Sequence, residues 1–189
     1  MAQLSNSALN QVERMFYGQV IIQFASSLFF YEQHSIVQRL IHQLKYHGQE
    51  ELGSLFGKWM GEELRHCQRL PKIDYVLPVP LSPNKLKKRG YNQVSRFGQE
   101  IARCLDAIFL VDNLRSKSSS RTQTQKNRED RWHNVKNQFY LRNPDVFDHA
   151  SVLIVDDVIT TGATLSACCK ALQQSKQVKI SIVSMAFTS

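Results

Sequence analysis

VLIVDDVITTGATL, residues Val152 to Leu165, sets branched apolar side chains before two adjacent carboxylates, then two threonines, a glycine and a third threonine after them. The apolar run reads as a strand buried on both faces of a parallel sheet. Burying two charges inside a core would be costly, so Asp156 and Asp157 are expected where that strand ends. Thr160 to Thr164 follow at once, and Gly162 lets the backbone approach a ligand closely as a helix begins. The free N–H groups of a helix start form a seat for phosphate. Carboxylates repel phosphate, so the acids suit another part of the same molecule: the vicinal hydroxyls of a sugar, or Mg²⁺ shared with a second phosphate group. The pattern describes a phosphorylated ribose.

Upstream, the order of elements points to an α/β sheet. QVIIQFASSLFFYEQ is crowded with aromatic and β-branched residues and reads as extended, with a hairpin expected in it. Ser35 reads as an N-cap for a helix carrying Ile36, Val37, Leu40, Ile41 and Leu44, with Gly48 as its stop. Leu52, Leu55, Phe56, Trp59 and Met60 continue the helical spacing toward Cys67, before Pro71. IDYVLPVPL reads as a buried strand closed by Pro78 and Pro80, followed by a basic loop SPNKLKKRGYNQ. Val94, Phe97, Ile101, Leu105 and Ile108 mark a further helix, and FLVDNLRS a weak strand. QFYL, SVLIVDD and VKISIVSMAF read as strands, with a helix between the last two whose apolar face holds Leu165, Cys168, Cys169 and Leu172. Alternating strands and helices imply a mostly parallel sheet with right-handed crossovers, whose ligands bind beyond the carboxyl ends of the strands.

A chain of 189 residues suits one domain with a real core. Its N-terminal apolar stretch is short and broken by Gln19 and Gln23, which argues against membrane insertion or a secretory signal, and the expected location is the cytoplasm. Four cysteines without paired spacing suggest free thiols. Between Lys85 and Arg142 there are 14 Lys/Arg against 5 Asp/Glu, so this one block accounts for the whole net charge of +8. Such a block serves a solvated face, an anionic small molecule or nucleic acid.

VLIVDDVITTGATL resembles the phosphoribosyl pyrophosphate (PRPP) motif of type I phosphoribosyltransferases. That resemblance implies that Asp156 and Asp157 are catalytic residues that contact the ribose hydroxyls and hold Mg²⁺ directly or indirectly. It implies that Thr160, Thr161, Gly162, Ala163 and Thr164 hold the 5′-phosphate. The implied fold is a type I phosphoribosyltransferase-like α/β domain: a mostly parallel central sheet flanked by helices, with a small N-terminal hood over about residues 1–70 and a core over 71–189.

A narrower resemblance covers most of the chain. VQRLIHQLKYHG, LPVPLSPNKLKKRGYNQV, RTQTQKNREDRWHNVKNQF and the PRPP motif stand in the order and spacing of the ComF family of competence-associated phosphoribosyltransferase-like proteins, GntX-like members included. Arg89-Gly90-Tyr91 matches that family's RG-aromatic-NQ signature, which implies pyrophosphate binding by Arg89, with Lys88 as a weaker partner. The segment Lys117–Arg131 is nearly devoid of apolar residues; it reads as a solvated loop, or as a lid with Arg121, Gln125, Lys126 and Arg131 facing the site. The resemblance implies PRPP or another ribose phosphate as ligand, with single-stranded DNA and a helicase-like protein as further partners. The family usually carries an N-terminal CxxC zinc element, and this sequence begins without one.

Plainer readings stand beside these. LIVDD also opens phosphorelay receiver domains, but the 32 residues after Asp157 are too few for the rest of one. GSLFGKW from Gly53 imitates a P-loop yet lacks its spacing, so an amphipathic helix is the better reading. The acid pair could serve only as a helix cap. The six histidines show no ligand spacing, Cys168 and Cys169 suit core packing, and Trp132 suits either a base or an anchor.

Overall fold

The protein is described by a computed structural model that covers residues 10–117 and 138–188. Its centre is a five-stranded sheet in the order β1-β7-β6-β2-β3, every neighbouring pair parallel. The strands are β1 (Phe24–Phe30), β2 (Tyr75–Pro78), β3 (Ile108–Phe109), β6 (Ser151–Ile159) and β7 (Lys179–Phe187). A separate antiparallel ribbon joins β4 (Leu114–Ser116) to β5 (Phe139–Leu141).

Side chains alternate between the two faces of each strand, and this splits the core in two. On one face Val152 and Ile154 pack with α1 (Gln11–Phe16), α6 (Ala163–Leu172) and the β4–β5 ribbon. On the other, Leu153 and Val155 pack with α2 (Ile36–Tyr46), α3 (Glu50–Arg65) and α5 (Ser95–Cys104). The crossovers expected of a parallel sheet are therefore present, with helices on both sides.

Local sequence explains most element ends. Ser35 caps α2 by accepting from the Gln38 N–H at 3.2 Å, and Gly48 takes a positive φ of 67° just beyond the helix. The glycines of GSLFGKW serve packing: a β-carbon on Gly57 would stand 2.6 Å from the Phe97 carbonyl oxygen, so α3 and α5 touch along backbone. Among the described residues no helix is long and apolar enough to cross a membrane.

Several expectations need correction. QVIIQFASSLFFYEQ holds one strand, not a hairpin, and β1 lies at the sheet edge parallel to β7. The basic loop contains a short helix, α4 (Pro83–Arg89), begun by Pro83 at its first position and ended by Gly90 at φ 82°. Ile108 leaves α5 and starts β3, after Asp106 turns the chain with φ 52°. FLVDNLRS is divided between the central sheet and the ribbon. The stretch before QVIIQFASSLFFYEQ, for which no element was expected, holds α1, opened by a capping box in which the Glu13 N–H donates to Asn10 Oδ1 at 2.9 Å and the Asn10 N–H to Glu13 Oε2 at 3.0 Å.

One correction bears on the site. β6 does not end before the acids; it runs to Ile159, because β7 offers a ladder partner as far as Phe187. On its other side β2 pairs only to Pro78, opposite Val155, and the last rung is the Val79 N–H on the Val155 carbonyl at 2.9 Å. Beyond Val155, β6 is thus paired on one flank and open on the other. That opening is the crevice at which α/β sheets bind ligands.

Candidate functional site

Asp156 and Asp157 stand in this half-paired stretch of β6 and point to opposite faces. Asp156 is half-buried on the α6 side. Asp157 is 7% exposed on the side of α2 and α5, where Lys45, in the last turn of α2, meets its Oδ2 at 2.9 Å. The Gln93 side-chain amide donates to the same oxygen, and Oδ1 accepts from the Val158 N–H at 2.6 Å. Gln93 in turn accepts from the Arg89 guanidinium, which lies 5.3 Å from the centre of the Tyr46 ring. A chain of contacts therefore runs from α4 through Gln93 to the second acid and on to α2. Tyr91 closes it by donating its hydroxyl to the Leu44 carbonyl near the end of α2.

These groups wall a cavity of about 790 Å³. Lys45, Asp156 and Asp157 stand on one side, and Lys85, Lys88 and Arg89 of α4 line another. Residues 85, 88 and 89 share one helical face, and Lys87, on another, is not among the residues lining the cavity. The expected pyrophosphate residues are thus brought to the acids, and Lys85 joins them.

The electrostatics are uneven. The Asp156 carboxyl is pushed up to about 8, first by burial and then by the neighbouring Asp157 charge, against the pull of Lys45 and Lys85. The Asp156 carboxyl therefore holds its proton into the neutral range in the ligand-free site. Behind them, burial pushes the Cys168 thiol well up and the Cys169 thiol up to about 12, so both are inert packing.

A smaller recess adjoins the cavity, formed by Thr160 to Leu165, and Thr164 borders both. Gly162 takes φ 69° and leads into α6, whose start has no side-chain cap among its own residues. Its first N–H, on Ala163, donates to Thr161 Oγ1 at 3.5 Å, and Thr160, Thr161 and Thr164 line the recess. The five residues expected at a 5′-phosphate are therefore adjacent to the acids. Arg121, Gln125, Lys126 and Arg131, expected in a lid, lie outside the described residues, as does Trp132. Ser116 and Gln138, on either side of that segment, border the cavity.

Lys45 and Gln93 were not singled out in the sequence. Both sit inside quoted motifs, LKYHG and RGYNQ, but their role depends on the end of α2 and the turn between α4 and α5 meeting at β6. As for metal, no group of three or more His, Cys, Asp or Glu side chains converges among the described residues. The acid pair suits only an ion that draws its other ligands from phosphate oxygens and water.

A parallel sheet with paired acids at an open strand flank, a glycine-led helix start beside them and a basic helix opposite defines the type I phosphoribosyltransferase class. The phosphoribosyl transferase domain family matches residues 95–187. Within that class the chain is similar to ComF-like competence proteins. It is 31% identical over 139 residues to competence protein F of Haemophilus influenzae, covering 71% of this chain and 61% of that one. It is 31% identical over 136 residues to the DNA utilization protein YhgH of Escherichia coli, covering 70% and 59%. The chain thus spans about three fifths of the length of these relatives. The fold is shared with glutamine PRPP amidotransferase of B. subtilis, solved with ADP and GMP: TM-score 0.51, 16% identity, 76% of this chain and 30% of that one.

Proposed function

We propose that the protein binds PRPP, or a related ribose phosphate, and transfers phosphoribose to an acceptor with release of pyrophosphate. The observation that supports this most is the placement of Asp156 and Asp157 between two anion seats, the α6 start and the cationic face of α4. The α6 start, with Thr160 to Thr164, takes the 5′-phosphate through backbone N–H groups. The acids accept from the ribose hydroxyls. Arg89 and Lys88, with Lys85, receive the pyrophosphate, and Mg²⁺ would add to the neutralisation of that group. As the bond to pyrophosphate loosens, positive charge grows on the ribose, and the Asp157 carboxylate would favour that charge. No side chain need act as nucleophile.

A second reading rests on the relatives. Their names, competence protein and DNA utilization protein, concern DNA, and on this reading the chain is a non-catalytic cytoplasmic protein of DNA uptake whose basic outer surface, α4 included, holds single-stranded DNA in concert with a helicase-like partner. The basic block supports that reading too. Calorimetric titration with PRPP and Mg²⁺, repeated with single-stranded DNA at two salt concentrations, tests both. The transferase reading requires saturable PRPP binding; steeply salt-dependent DNA binding without PRPP binding would replace it with the second.

A further inference from the structure

The pairing of Lys45 with Asp157 carries a consequence for how the ribose is recognised. A carboxylate offers about four acceptor positions. Asp157 uses three: Oδ2 takes Lys45 and Gln93, and Oδ1 takes the Val158 N–H. The position left on Oδ1 suits the O–H of a sugar hydroxyl. A divalent ion at Oδ2 would have to displace an ammonium at 2.9 Å and an amide at once.

The pair is also built rather than incidental. Its side chains are 23% and 10% exposed, so the interaction is sheltered from solvent screening. Lys45 sits in the last turn of α2, where the helix dipole favours a cation, and the Tyr91 hydroxyl on the Leu44 carbonyl fixes that turn against the site. Lys85 lies within electrostatic reach of Asp156 from the facing wall. The chain itself supplies the positive charge beside both acids.

We propose that Lys45 is the built-in counter-ion of the acid pair, holding Asp157 as a hydroxyl acceptor so that the ribose 5-phosphate part of the ligand is bound without a divalent cation. The proposal rests on the ribose-phosphate reading of the cavity and deepens it: metal would serve only the pyrophosphate end. Lys45 is then a positioning residue for the sugar.

The test is calorimetric titration of the full chain with ribose 5-phosphate, once in EDTA and once with Mg²⁺, for the wild type, Lys45→Met and Lys45→Arg. The wild type should bind equally, within about twofold, in both conditions, and Lys45→Met should lose roughly tenfold in EDTA and regain part of it with Mg²⁺. Lys45→Arg should keep metal-free binding, which separates charge from a general loss of folding. Loss of wild-type binding in EDTA overturns the proposal alone, as does Lys45→Met binding unchanged in EDTA. Failure of the wild type to bind ribose 5-phosphate in either condition overturns the ribose-phosphate reading and the proposal with it.

Discussion

Gly162, at the start of α6, lies against Phe16 of α1: a β-carbon on the glycine would stand 3.1 Å from the Phe16 ring and 3.2 Å from the Met15 sulfur. α1 is therefore the floor beneath the expected phosphate loop. The contact is extended by Ser166, whose hydroxyl donates to Gln19 Oε1 at 3.1 Å.

From sequence alone Gly162→Val would be expected to harm phosphate binding more than stability. The structure changes that expectation, since the position combines φ 69° with a closed rear wall. Gly162→Val should lower the unfolding free energy by about 2–3 kcal/mol and abolish ribose 5-phosphate binding. Urea denaturation and calorimetry measure the two effects; a fully stable variant would show that the loop can move away from α1.

Holding that floor depends on Glu13. It is 4% exposed, meets Arg69 at 2.7 Å, and also accepts from the Ala25 N–H at 3.3 Å. Losing the Glu13 carboxylate removes both the ion pair with Arg69 and the acceptor of the Ala25 N–H, so Glu13→Ala should cost about 3 kcal/mol in urea denaturation. Affinity for ribose 5-phosphate should fall as well, because α1 loses its anchor while the loop itself is untouched. Normal stability in Glu13→Ala would show that apolar packing of Val12 and Phe16 holds α1 without the pair.

Asp156 gives a pH signature. An unfolded aspartate titrates near 4, whereas the folded group is pushed up to about 8. Between those values the native state holds one proton more than the unfolded state, so stability falls as pH rises through the window. Asp156→Asn removes this term. Its melting temperature should exceed the wild type's at pH 8, with the gap closing toward pH 4, while ribose phosphate binding weakens. A gap constant across pH would show that burial does not raise this carboxyl.

How far the sequence disclosed the site depended on range. The nearness of Asp156, Asp157 and Thr160 to Thr164 was legible because strand, acids and glycine-led turn are contiguous. Ser35 and Gly48 were legible for the same reason. The extension of β6 to Ile159 was not, because it depends on β7 running longer than β2. Nor were the partners of Asp157: Lys45 and Gln93 are 48 residues apart in the chain, and only the approach of α2 and the turn before α5 to one face of β6 joins them. α4 could have been found, since SP and RG at its two ends are start and stop signals, but its string of lysines read as solvated loop.

That string allows the two functional readings to be separated within one helix. Lys88 lines the cavity with Lys85 and Arg89, whereas Lys87 does not. If the ligand is PRPP held inside the cavity, Lys88→Gln should weaken binding roughly fivefold and Lys87→Gln by less than about twofold, since only one of the two charges meets a phosphate. Single-stranded DNA crossing the outer surface of α4 would engage both lysines, and each substitution would then lower the salt slope of DNA binding by about 1. Calorimetry with PRPP and a salt series with DNA give the two readouts on the same pair of variants. Equal loss of PRPP affinity in both variants would remove the helical-face assignment and, with it, the case that α4 forms a specific pyrophosphate seat.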